Sequence, residues 1–134
     1  VTQRETPHGA SLPIDLSTDD APFEQVRSGI VRGVRSGALI AGSRLPTVRA
    51  LAADLGLAPN TVAKAYRELE QDGVVVTRGR SGTFVAAGDD PAVAAVQTAA
   101  TEYARAARRA GVEDDEAVRW VRTAFDAVQT PPQR

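Results

Sequence analysis

Apolar side chains at Phe23, Val26, Ile30 and Val34 recur in steps of three and four. That spacing places them on one face of a helix, predicted from about Pro22 to Gly37. Leu51 and Leu55 mark the next helix, which Gly56 breaks. After a four-residue turn a third helix begins with Pro59 in its first turn, where a missing N–H costs nothing. This third helix buries Val62, Tyr66 and Leu69 and stops at Gly73. From Val74 to Val85 the pattern changes to two β-branched runs around a turn with Arg78, Gly79, Arg80 and Gly82, which predicts a hairpin. A helix-turn-helix followed by a hairpin is a winged helix, so the fold class is α+β, mainly α.

Beyond Gly88 the composition becomes alanine-rich, and Asp89 or Asp90 is placed to cap a helix that Pro91 begins. Val93, Val96, Ala100, Tyr103, Ala107 and Ala110 alternate steps of three and four, the spacing of a helix packed along a narrow seam, and Gly111 ends it. A last helix, from about Asp114 to Gln129, repeats the pattern with Val118, Val121, Phe125 and Val128. A helical hairpin of roughly 40 residues is too short to bury a core of its own. Its stripes therefore predict a partner surface, most simply a second copy of the chain about a two-fold axis. The alternative is that the hairpin folds back on its own winged helix. Trp120, beside Val118 and Val121, is read as an interface or core residue. The chain thus divides into a polar, mobile arm at 1–13, a winged helix at 14–87 and a helical dimerisation segment at 88–134.

Composition narrows the chemistry. With no cysteine, disulfides and thiolate sites are excluded. No apolar run is long enough to span a bilayer and the start lacks a signal-peptide pattern, so a cytoplasmic location without a membrane partner is expected. His8 is the single histidine and has no companion ligands, so no metal site is expected. No nucleophile–base pair or phosphate loop appears, which predicts neither enzyme activity nor a cofactor. The net charge of −1 is unevenly spread: residues 22–86 hold nine basic and five acidic side chains, between two acidic flanks. A basic middle is the footprint expected when one module meets phosphate.

Between its buried positions the third helix presents Asn60, Thr61, Lys64 and Arg67, short polar and basic side chains suited to base edges and phosphates in a major groove. Arg78 and Arg80 put charge at the tip of the wing. In the plainer alternative Lys64 or Arg67 pairs along the helix with Glu68 or Glu70. Tyr66 is read as core, with its hydroxyl reaching the surface or a phosphate.

Four stretches together carry a resemblance: Pro22-Phe23 with Gln25-Val26, the run from Gly42 to Arg49, Pro59-Asn60-Thr61-Val62 with Lys64 to Glu70, and Gly79 to Val85. In this order and spacing the chain resembles the GntR family of bacterial transcription regulators, and within it the short YtrA-type branch. The resemblance covers about residues 14–86. It implies a homodimer on a palindromic operator, with two short helices where longer relatives carry an effector-binding or aminotransferase-like domain. It also implies that Arg49 approaches the major groove, that Asn60 and Thr61 are offered from the start of the recognition helix, and that Gly82 lets the wing approach the minor groove closely. The plainer role for Arg49 is an ion pair with Asp54. Ala58-Pro59 stands where many relatives have Ser-Arg, and Ala63 where other branches have arginine, so the base preference of those relatives does not carry over.

The expected function is a dimeric winged-helix transcriptional repressor that binds double-stranded DNA. Arg67, Arg78, Arg80 and the helix termini position it on phosphates, while Arg49, Asn60, Thr61 and Lys64 read bases. Repression is expected over activation because so small a chain leaves little surface for recruiting polymerase. A small-molecule effector of unknown identity, where one acts, has the space between the C-terminal helices or their junction with the wing. The competing function is a winged-helix module that binds protein without binding DNA. Two arginines and two glycines at the wing stand against it.

Overall fold

The computed structural model describes residues 4–5, 11–12, 14–17 and 19–128. The chain forms two compact units, Val1–Thr98 and Ala99–Arg134.

In the first unit β1 (Arg4–Glu5) pairs antiparallel with β2 (Ser11–Leu12). Helices α1 (Pro22–Ser36), α2 (Val48–Leu55) and α3 (Pro59–Gln71) follow, with α1 and α2 both packed on α3. The periodicity explains the packing. Val26 and Ile30 of α1 and Val62 and Leu69 of α3 are fully buried, and Leu51 of α2 closes the same core. Phe23 and Val34, expected on that face, are only half-buried, because they stand near its two ends. Leu12 and Ile14, ahead of α1, are each 1% exposed and belong to the core too. The described part of the segment read as an arm is thus tied down, while His8 and the rest of that segment lie outside the described residues.

The turn between α2 and α3 spans three residues, 56–58, one fewer than expected. Gly56 adopts φ 69°, the left-handed conformation that ends a helix, and the Leu57 N–H donates to the Ala52 carbonyl at 2.9 Å. Ala58 is already the N-cap of α3 and Pro59 its first helical residue, which leaves no room for a fourth.

The wing consists of β3 (Val75–Thr77) and β4 (Thr83–Val85), paired antiparallel. β3 is one residue shorter than the run that starts at Val74, whereas β4 covers the second run in full. The Val74 N–H donates to Leu69 O and so closes α3, and residues Gly79–Ser81 form a 3₁₀ turn at the tip. The chain ahead of α2 lines the other edge of β4, with Arg44 bridged to Phe84 and the Leu45 N–H donating to Thr83 O at 2.8 Å.

The last helix pair is α4 (Pro91–Arg109) and α5 (Asp114–Ala127). Asp90 Oδ1 accepts from the Ala92 N–H at 3.0 Å and so caps α4. The first turns of α4 belong to the first unit: Ala94 is buried, and Gln97 Oε1 accepts from the Ala41 N–H at 3.1 Å. In the second unit the Tyr103 hydroxyl donates to Ala117 O at 2.8 Å, and Arg108 grips Asp114 through two bonds of 3.1 and 3.0 Å. Asp114, Asp115 and Glu116 lie in the first turn of α5, where the helix dipole favours acidic groups. Gln129, the expected end of α5, lies outside the described residues.

Candidate nucleic-acid interface

On α3 the buried positions leave one outward stripe, and Asn60, Lys64 and Arg67 stand on it, all exposed, with Thr61 half-buried at its flank. Ala58 gives α3 no side-chain cap and the first turn holds no acidic residue. No side chain of that turn offsets the positive end of the helix, which suits an anionic partner. Neither helix pair expected for Lys64 or Arg67 is formed among the described residues. Instead Lys64 Nζ lies 3.8 Å from the centroid of the Phe23 ring, a cation–π contact between α3 and the start of α1.

Arg49 is exposed in the first turn of α2. Thr47 caps that turn, its Oγ1 accepting from the Ala50 N–H at 3.1 Å. Among the described residues no ion pair joins Arg49 to Asp54, whose Oδ2 is buried without a hydrogen-bond partner. The Tyr66 hydroxyl, expected at the surface or on a phosphate, is turned into the core, and the residue is 7% exposed. The hydroxyl donates to the carbonyl of Pro46 at 2.7 Å inside the core, and burial pushes the phenol pKa far above its usual value. Pattern reasoning placed the Tyr66 ring correctly and missed the bond, which joins residues 20 apart in sequence.

At the wing, Arg78 and Arg80 are exposed, and the Arg78 guanidinium lies 5.2 Å from the Phe84 ring centroid. Gly82 has φ 115° and ψ −163°, a conformation that essentially only glycine adopts. A Cβ built there would lie 2.9 Å from Arg44 Nε. The space beside Gly82 is thus filled by Arg44, an exposed side chain that local spacing did not connect to the wing. The signal that finds it is the pairing of Arg44 with Phe84.

The seam residues of the C-terminal helices remain largely uncovered. Val93, Val96, Ala100, Tyr103, Val118, Phe125 and Val128 are exposed, while Ala107 and Val121 are half-buried. In the second unit Tyr103, Trp120, Val121, Ala124, Phe125 and Val128 line an open apolar cavity of about 340 Å³. Among the described residues no group of three or more His, Cys, Asp or Glu could hold a metal ion, and no helix is long and apolar enough to cross a membrane.

Residues 22–85 match the family described as bacterial regulatory proteins, gntR family. The chain is 49% identical over 110 residues to the HTH-type transcriptional regulator Rv1152 of Mycobacterium tuberculosis, a match covering 82% of this chain and 90% of that one. It is 35% identical over 74 residues to the HTH-type transcriptional repressor YtrA of Bacillus subtilis, covering 55% of this chain and 57% of YtrA. Among solved structures, YtrA from Sulfolobus acidocaldarius, a GntR-family transcription factor, matches with a TM-score of 0.53 at 32% identity, over 57% of this chain and 81% of that chain. A transcriptional antiterminator from Listeria monocytogenes matches with a TM-score of 0.54 at 28% identity, over 90% and 95%. The chain belongs to the GntR family of bacterial regulatory proteins, beside its YtrA-type regulators, and is a DNA-binding transcription regulator.

Proposed function

We propose that the protein is a homodimeric repressor that binds a palindromic operator in double-stranded DNA in the cytoplasm, and that it has no catalytic role. The observation that carries the dimer is the uncovered seam, where Phe125 and Val128 are 70% and 73% exposed in the single chain. Side chains of this kind repeated along two helices are stabilised when a copy of the same surface covers them. In this reading residues 14–87 form the DNA-binding domain and 88–134 the dimerisation segment. Repression is supported by the likeness to YtrA of Bacillus subtilis, which is described as a transcriptional repressor.

Arg49, Asn60, Thr61 and Lys64 read base edges, and Arg67, Arg78 and Arg80 neutralise phosphates, with Gly82 shaping the wing beside the minor groove. Two-fold symmetry sets the half-sites about one helical turn, or a multiple of it, apart. An effector, where one acts, is a small molecule held between the C-terminal helices or near the wing.

The test is sedimentation of the full chain and of Phe125→Arg, followed by selection of bound fragments from genomic DNA. The wild type should be a dimer that recovers palindromic sites, and the variant a folded monomer with much weaker affinity. A monomeric wild type, or selected sites without two-fold symmetry, would exclude this arrangement.

A further inference from the structure

The residues just ahead of α2 are held to the wing, to α3 and to the first turn of α2. The Leu45 N–H donates to Thr83 O of the wing at 2.8 Å, Pro46 O accepts from the Tyr66 hydroxyl of α3 at 2.7 Å, and Thr47 Oγ1 accepts from the Ala50 N–H at 3.1 Å. The middle bond ties the start of α2 to the recognition helix through a side chain. Pro46 is fully buried and has no N–H, so its carbonyl is its only main-chain polar group. A buried carbonyl requires a partner, and Tyr66, 7% exposed, supplies it from the face of α3 opposite Asn60 and Lys64. Phenylalanine would fill the same space without the bond, so packing alone does not account for the hydroxyl.

Arg49 follows Pro46 by three residues, within the first turn of α2. A base contact tolerates misplacement of only about 0.5 Å. We infer that Tyr66 is a positioning residue for base reading: its bond to Pro46 fixes where Arg49 stands relative to Asn60, and so sharpens sequence discrimination. This rests on the assignment of Arg49 to base reading made above.

The test selects from a randomised duplex DNA pool with full-length wild type, Arg49→Ala, Tyr66→Phe and the double variant, and reads the base preference at every position. Arg49→Ala should flatten one position in each half-site. Tyr66→Phe should weaken preference at that same position about fivefold to tenfold, the scale of one hydrogen bond, and leave affinity for a shuffled duplex unchanged. The double variant should discriminate no worse than Arg49→Ala. Tyr66→Phe keeps the ring and is used below its own melting temperature, while Thr47→Ala, which removes a bond within α2 that does not reach α3, is the control and should leave preference at that position near wild type. An even loss over all sequences in Tyr66→Phe, losses that add in the double variant, or an equal blunting of that position by Thr47→Ala overturns it. If Arg49→Ala itself keeps full discrimination, the base-reading assignment fails and the inference falls with it. If Tyr66→Phe keeps it and Arg49→Ala does not, the assignment stands and the latch alone is wrong.

Discussion

Lys64 Nζ sits 3.8 Å above the Phe23 ring, so the ammonium of the recognition helix is held by an aromatic side chain from the start of α1. A cation over a ring at an exposed site contributes about 0.5–1 kcal/mol. Unfolding Phe23→Leu, Lys64→Gln and the double variant in urea should give a coupling of that size. Additive losses would show that the contact contributes nothing.

Gly82 and Arg44 yield a second expectation. Gly82→Ala places a side chain at φ 115° and 2.9 Å from Arg44 Nε. The backbone strain should destabilise the protein by about 1–3 kcal/mol. Arg44→Ala in the same chain should restore only the part due to the collision, because the dihedral strain remains. Thermal unfolding of the two single variants and the double variant separates the contributions.

Salt dependence checks the wing. Arg78 and Arg80 are exposed on either side of Gly79. If each neutralises one phosphate, its replacement by alanine lowers the slope of log affinity against log salt by about 0.9. Titrating a selected operator at several salt concentrations measures the slope. A slope that survives both substitutions would place the wing away from the backbone.

Asp114 provides a pH expectation. Its hydrogen bonds to Arg108 hold its carboxyl below the ordinary 3.8. A group whose pKa is lowered on folding contributes stability above its unfolded value and loses it as pH falls through the folded one. The tie between α4 and α5 should therefore be intact above pH 3.8 and loosen only in more acid solution. Carboxyl titration followed by NMR should find Asp114 low in the wild type and near its ordinary value in Arg108→Gln.

The helices and wing were legible because each rests on a local period: Val26 and Ile30, Leu51 and Leu55, Val62 and Leu69 announce their faces within one or two turns. The turn before α3 was also readable, from Gly56 and Pro59, to within one residue. Candidate contact residues could be named for the same reason, since an outward stripe follows once the inward one is known. What stayed hidden are contacts between distant segments. Tyr66 to Pro46, Arg44 beside Gly82 and Lys64 over Phe23 all depend on how elements pack, and no spacing encodes that. Val74 misled through its β-branched side chain, since its N–H serves the end of α3. Leu12 looked like part of a polar tail because a single apolar residue has no period at all.

Trp120 is the chain's only tryptophan, and it stands on α5, 49% exposed among the seam residues. Indole fluorescence from this protein therefore originates wholly in the second unit, and the winged helix is silent at that wavelength. Covering the seam should shift that emission to the blue, since it moves an exposed indole out of water. One natural fluorophore thus reports on the seam without a label.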